Sequence, residues 1–310
     1  MTTGVGDLAE NTQILQYIEQ SKASADKIEQ QISSGLASQN FAGISSQAAQ
    51  LVSLSDQQTK QHAYIDTINN VSTRMQTMAL AINSIENLAT QFVGNLPADA
   101  YNTKGETIQE QAQQVLSQVA GYLNTQDGSM YVFSGNMTST PSVNPGSLPN
   151  PGSLTSSVGV APPNGYYQGD NGVAQATIDN NVTMSYGITA NNPAFEQFIR
   201  VLNFLATSPP FNQSNSTDVA NVNQATQMLN QTVTQLQTLQ GTVSLQQGQL
   251  SNTLTTHQQS LTLAKSSISN IEQVDPASAI TQLNTLQTQL QASYQTMSII
   301  SQLSLVNYVK

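Results

Sequence analysis

The sequence predicts a mainly α fold: a long antiparallel helical coiled-coil rod formed by the N- and C-terminal arms, with a small β-rich insertion in the middle. Three observations carry that expectation. Apolar residues recur every seven positions near both ends of the chain, the a/d spacing of helices packed on helices. Between 136 and 190 this period vanishes, and Pro, Gly and β-branched residues take over. Composition supplies the third: only 8% of the 310 residues are charged, while Gln, Ser, Thr and Asn contribute 41, 35, 32 and 28. The outer faces of the helices are therefore polar but almost uncharged.

Taken in order, the first helix carries Leu8 and Leu15, then Ile18, Ala25 and Ile32. Gly35, after Ser33-Ser34, suits a left-handed C-cap. From Tyr64 one row reads Tyr64, Val71, Met78, Ile85 and Phe92, and its companion Ile68, Met75, Ile82 and Ala89. Gly94–Pro97 predicts a break, after which Ile108, Ala112, Val115, Val119 and Tyr122 share a face. Tyr131-Val132-Phe133 and Tyr166-Tyr167 read as short strands flanking a turn-rich loop, Asn136–Gly165. Val173–Ile178 and Val182–Gly187 around Asp179-Asn180-Asn181 predict a β-hairpin. Helix resumes at Pro193, with Phe195, Phe198, Ile199 and Leu202 on one face. Then Val222, Leu229, Leu236, Val243 and Leu250 run at sevens, with Leu254, Leu261 and Ile268 on an adjacent row. Asp275 as N-cap and Pro276 at the first helical position start the last helix. That helix carries Leu283, Leu290 and Met297, flanked by Ile280, Leu286, Tyr294 and Ile300.

The expected organisation is terminal helices at 1–42 and 276–310, a helical rod domain at 43–135 and 191–275, and a β-hairpin/loop insertion at 136–190. An insertion this short is expected to hold only a modest core of its own.

Charge and composition exclude several functions. The formal net charge is -10, and Arg200 is the one basic residue between Lys104 and Lys265. Phosphate backbones are bound by clustered Lys and Arg, so a nucleic-acid partner is not expected. No apolar run approaches the ~18 residues that would span a bilayer. Met1–Glu10 lacks the basic and apolar regions of a Sec signal. With no Cys, disulfide scaffolds and thiolate chemistry fall away.

No catalytic constellation is visible. His62 and His257 sit on different helices without a hydroxyl or carboxylate at a telling spacing. Glu272 and Asp275 read as helix-end carboxylates, and Gly169-Asp170-Asn171-Gly172 as a turn without the alternating ligands of a calcium loop. The expectation is no catalytic, cofactor-binding or metal site, and no enzyme activity. The informative feature is the outer face instead. Between Asp218 and Glu272 there is no acidic residue, and Lys265 is the one charge. Solvated coiled coils usually carry Glu and Lys there. A surface of Gln, Thr, Ser and Asn meets a neighbour without stripping charges of water.

Several segments resemble the bacterial flagellin family, most of all its hook-associated, junction-forming branch. Ile32-Ser33-Ser34-Gly35-Leu36 is similar to the Leu-Ser-Ser-Gly-Leu element that ends the family's N-terminal helix. Asp127-Gly128-Ser129-Met130-Tyr131-Val132-Phe133-Ser134-Gly135 resembles the Gly-Asp-x-Tyr-Leu-Phe-x-Gly segment of the junction branch. Tyr166-Tyr167-Gln168-Gly169-Asp170 is similar to that branch's middle. Asp275-Pro276-Ala277, Leu290-Gln291-Ala292-Ser293-Tyr294 and Leu303-Ser304-Leu305-Val306-Asn307-Tyr308 look like its C-terminal helix. Where flagellins carry Arg-Ile-Asn-x-Ala-x-Asp-Asp, this chain reads Ala37-Ser38-Gln39-Asn40-Phe41-Ala42-Gly43-Ile44.

The resemblance implies a secreted structural subunit of the bacterial flagellum, joining hook to filament and needed for motility. It implies as partners copies of the chain in a ring, the preceding junction protein, flagellin, an export chaperone and the flagellar type III apparatus. Subunit packing in an inner tube, ordered on assembly, would fall to Leu8, Leu15, Ile18, Leu283, Leu290, Tyr294, Met297 and Leu303. Packing within the rod would fall to Ile68, Met75, Ile82, Leu236, Val243 and Leu250. Flagellin itself shares this plan, and a secreted coiled-coil protein that binds a partner helix remains a different class of answer.

Overall fold

A computed structural model describes the backbone at residues 3–102, 107–148, 154 and 165–308, and the side chains of these within 12–300. The chain divides into two compact units, Met1–Lys60 with Ser260–Lys310, and Gln61–Gln259. Six α-helices and two small hairpins make up the described residues: α1 (Thr3–Ser34), α2 (Ala48–Asp99), α3 (Ile108–Leu123), β1 (Gln126–Asp127), β2 (Met130–Tyr131), β3 (Ala174–Asp179), β4 (Val182–Tyr186), α4 (Pro193–Thr207), α5 (Ser216–Glu272) and α6 (Pro276–Tyr308). The fold is mainly helical, with a small antiparallel β insertion, as the heptad rows predict.

In the first unit α1 pairs with α6. Leu36 bridges Gln273 in antiparallel sense, and the Tyr17 hydroxyl reaches Gln289 Oε1 at 3.4 Å. These two pairs make the helices antiparallel and set Ile18 about level with Leu290. Along α1 the buried positions are Ile18, Ser21, Ala25 and Ile28, a strict alternation of three and four. Facing them, Leu283, Leu286, Leu290, Met297 and Ile300 of α6 are half-buried. Gly35 (φ +72) ends α1 in the left-handed conformation that Cβ-bearing residues avoid. The turn it makes lets the Ala37 N–H donate to Glu272 O at 2.7 Å and the Val274 N–H to Gly35 O at 3.1 Å. Asp275 then caps α6, its Oδ1 accepting from the Ala277 N–H at 3.0 Å.

The second unit holds the main core. Ile68, Met75, Ile82, Leu236, Val243 and Leu250 are all fully buried in it, together with Ala89, Leu96, Val222 and Leu229. The expected break at Gly94–Pro97 does not occur, and α2 runs on to Asp99. Proline there removes one amide, the partner of Val93 O, in a last turn that frays in any case. On α3 the buried stripe is Ile108, Ala112, Leu116, Val119 and Leu123, leaving Tyr122 exposed. A straight helix drifts about 20° per heptad, so Tyr122, two heptads from Ile108, has rotated off the face. Thr107 and Glu110 close a reciprocal capping box at its start.

Among the described residues, the buried side chains of the insertion belong to the main core. Val143, Tyr166, Tyr167, Ile178 and Met184, with Val132 and Phe133 just before the insertion, join the same buried cluster as Phe195, Phe198 and the α2 and α5 rows. Phe133 meets Phe195 edge to face at 5.8 Å. A segment this short cannot bury two faces by itself, so it lays its aromatic residues on the helices. Strands β3 and β4 pair antiparallel, with Ala176, Ile178 and Met184 turned inward and Asn181 (φ 57) in the turn. Tyr131-Val132-Phe133 contributes only Tyr131 to strand β2, and Tyr167 makes a lone bridge to Val143. Asn124 anchors that bridge by donating to Val143 O and accepting from the Val143 N–H, both at 2.9 Å.

Candidate assembly surface

The surface of these helices follows from residue choice. From Pro276 to Tyr308 helix α6 contains no Asp, Glu, Lys, Arg or His. On α5 the hydroxyls of Thr234, Thr238 and Thr242 donate to carbonyls four residues back, as do those of Thr253, Thr255 and Thr256. Their hydroxyl protons are spent on the helix itself, and no charged side chain stands among them. Such a face is nearly neutral and loses little hydration when covered.

The first unit separates its sequence-predicted contact residues into two sets. Ile18 is buried in the α1–α6 seam, and Leu283, Leu290 and Met297 are half-buried along it. Leu15 and Tyr294, by contrast, are 44% and 53% exposed. The side chains of Leu8 and Leu303 lie outside the described residues. Tyr17, Ile280 and Ile299 are also exposed, and a groove of about 410 Å³ opens between Tyr17 and Ile14 of α1 and Ala292, Ser293 and Thr296 of α6. On α1 and α6 the outward apolar set is thus Leu15, Tyr17, Ile280, Tyr294 and Ile299. Sequence reasoning missed Tyr17, Ile299 and the exposed Phe41 and Val52. Their signal was being apolar off the heptad row.

In the second unit Leu80 and Leu245 are similarly off-row and exposed. Its interior holds one polar position in an otherwise apolar row. His257 is 3% exposed and continues the row of Val243 and Leu250. Its Nε2–H donates to Ile178 O at 2.7 Å, Nδ1 pairs with the Gln61 side chain, and the ring stacks on Tyr64 at 5.2 Å. The histidine therefore ties strand β3 to α2 and α5. Tyr166 is likewise a buried tie: its hydroxyl donates to Ala190 O at 2.8 Å. Burial, then the charge of Glu196 and the neighbouring Tyr167, raises its pKa far above the ordinary tyrosine value. Glu110 is held below the usual carboxylate range by the Thr107 N–H and then by its hydroxyl. Asp170, in the Gly169–Gly172 turn, accepts at Oδ1 from the Asn136 and Gly172 N–H groups at 2.7 and 3.0 Å.

Among the described residues no three His, Asp or Glu side chains stand where they could hold a metal ion. No described helix is long and apolar enough to cross a membrane. The chemistry on offer is surface chemistry: neutral helical faces with exposed apolar side chains.

Residues 226–309 match the family model of the bacterial flagellin C-terminal helical region. No curated protein matches the sequence. A candidate flagellar hook-associated protein from Vibrio parahaemolyticus has a similar structure, with TM-score 0.57 and 15% identity over 74% of this chain and 100% of that one. Bacillus cereus FlgL aligns more loosely, with TM-score 0.46 and 13% identity over 72% and 99% of the two chains. Residues 226–309 are thus similar to the flagellin C-terminal helical region, and the fold of the chain is similar to that of the Vibrio protein.

Proposed function

We propose that this chain is a non-catalytic structural subunit of the bacterial flagellum, working at the junction between hook and filament. The observation that carries the reading is the charge-free α6 within the flagellin-type segment 226–309, which leaves Ile280, Tyr294 and Ile299 exposed. An apolar and neutral helix face of this kind is stable in water only at a cost and gains by being covered. In an assembled ring, copies of the chain would cover it. Leu15 and Tyr294 would make the contacts between subunits, while Ile18, Leu283, Leu290 and Met297 would hold α1 to α6. The preceding junction protein would meet one edge of the ring and flagellin the other, with delivery outside the cell through the flagellar export apparatus and its chaperone.

Sedimentation and electron microscopy of the purified chain, alone and with sheared flagellar seeds, test this. A chain that binds hook ends or seed ends without elongating supports the junction role. Long filaments at rising concentration would make it a filament subunit, the second reading favoured by the match of 226–309 to flagellin. Neither behaviour, with a partner helix captured instead, would overturn both.

A further inference from the structure

Arg74, in the middle of α2, is 8% exposed, and no described carboxylate makes an ion pair with it. Its Nη2 donates to Tyr131 O at 3.2 Å and its Nη1 approaches the Met130 sulfur at 3.9 Å, while Nε has no partner. A guanidinium carries five N–H donors, and one backbone carbonyl with one weak thioether acceptor leaves it under-satisfied. Arg200, half-buried and likewise without a partner at Nε, has the counter-charge that Arg74 lacks, with Glu196 at 3.3 Å. Desolvating a cation without a counter-charge is costly, and Arg74 has been placed where it bears that cost.

Beside Arg74 lies a cleft of about 230 Å³, bordered by Val132, Gly172, Gly187, Thr189 and Asn192. No acidic residue lines it. Asn192, the N-cap of the 15-residue α4, borders the same space, its Oδ1 accepting from the Ala194 N–H at 3.0 Å and Glu196 standing in the first turn of the helix. Arg74 also borders a wider cleft of about 710 Å³, where Asp127 stands without reaching it. The smaller cleft, whose nearest carboxylate is Asp170, already bonded to the Gly172 N–H behind the wall, is where an entering anion meets the buried guanidinium.

We propose that the cleft between α2, the β3–β4 hairpin and the start of α4 binds a carboxylate on the Arg74 guanidinium. The volume corresponds to several waters of about 30 Å³, enough for the end of an acidic side chain or a small free acid. A carboxylate matches the guanidinium fork and carries one negative charge. Phosphate carries nearly two, and with a single cation in a chain of net charge -10 it is disfavoured.

The test is a titration of the ¹⁵N-labelled full chain with sodium acetate against sodium chloride at equal ionic strength. The amides of Gly187, Thr189 and Asn192 and the Arg74 Nε–H report on it. Saturable shifts with acetate alone are expected, weakened about ten-fold in Arg74→Lys, which keeps the charge and loses the fork, and absent in Arg74→Gln. Shifts that fail to saturate, that chloride reproduces, or that phosphate saturates at lower concentration would overturn the proposal. If Arg74→Gln does not fold, the titration of the unaltered chain still decides. Self-association measured by sedimentation separates the sources. Weakening by both acetate and Arg74→Gln means that the carboxylate comes from a neighbouring copy. Association indifferent to both, with the saturable shifts intact, means that a free acid occupies the cleft.

Discussion

Replacing His257 with Leu sets two physical effects against each other. The position continues a seven-residue apolar row, so leucine would improve the seam, and its burial is worth at most about 1.5–3 kcal/mol. Part of that gain already exists, because the imidazole is 3% exposed and stacked on Tyr64. The loss is the 2.7 Å hydrogen bond to Ile178 O together with the bond to Gln61. A buried carbonyl left without a donor costs about 1–3 kcal/mol, and a stacked ring contact adds about 0.5–1.5 kcal/mol. Gln61 is half-buried and can turn to water, so its orphaning adds little. The balance predicts a net destabilisation of about 1–2 kcal/mol, with β3 loosened first. Urea unfolding followed by circular dichroism, with amide exchange at Ile178 and its neighbours, measures it. An unchanged or raised midpoint at constant slope would refute the argument, because seam apolarity would then outweigh the tie to the hairpin.

Other predictions concern the helix pair, the caps and pH. Tyr294→Asp leaves α1 and α6 paired but prevents incorporation into flagella, whereas Leu290→Asp puts a carboxylate into the seam and lowers the helicity of the free chain. Circular dichroism and a motility assay check the pair, and normal flagella with Tyr294→Asp would remove that residue from the contact surface. Asp275→Ala removes the α6 cap and costs about 0.5–2 kcal/mol, seen as earlier exchange of the Ala277 and Ala279 amides. Tyr166 has a folded pKa above its unfolded value near 10.0, so the fold holds the phenol proton more tightly. Its contribution is therefore complete below pH 10 and declines as pH rises beyond it, and Tyr166→Phe should flatten the alkaline fall in unfolding midpoint. Glu110 has the opposite sign. Its pKa is depressed in the fold, so the stability it adds is present above about pH 4.5 and lost as pH falls through the folded value; Glu110→Gln should remove that dependence.

The heptad rows and caps were readable because they are local. A seven-residue spacing of Ile68, Met75 and Ile82 has one efficient burial solution, and Asp275-Pro276 starts a helix wherever it stands. Gly35 marked the end of α1, and Asp179-Asn180-Asn181 marked the hairpin turn, by backbone chemistry alone. Even there, Pro97 failed as a stop signal because one missing amide in a final turn is tolerated. The assembly surface was only half legible. Composition showed that it would be neutral, but not which apolar residues would face outward. Leu15 and Ile18 look alike in sequence, and the three-four alternation of the α1–α6 seam takes Ile18 inside and leaves Leu15 out. Nor could spacing show that the aromatic residues in and just before the insertion would join the helical core, since the contact between Phe133 and Phe195 closes across more than sixty residues. The polar interior positions lay furthest from reach. His257 continues an apolar row, and its meaning comes from Ile178 on a strand 79 residues away. Nothing in the residues next to Arg74 shows that the fold buries it without a carboxylate. Most of the helices, their caps and the neutrality of their faces can be read before folding, because they depend on neighbours along the chain. Tertiary structure decided which polar groups are satisfied and which apolar ones remain exposed, because burial belongs to the packed chain and not to the residue.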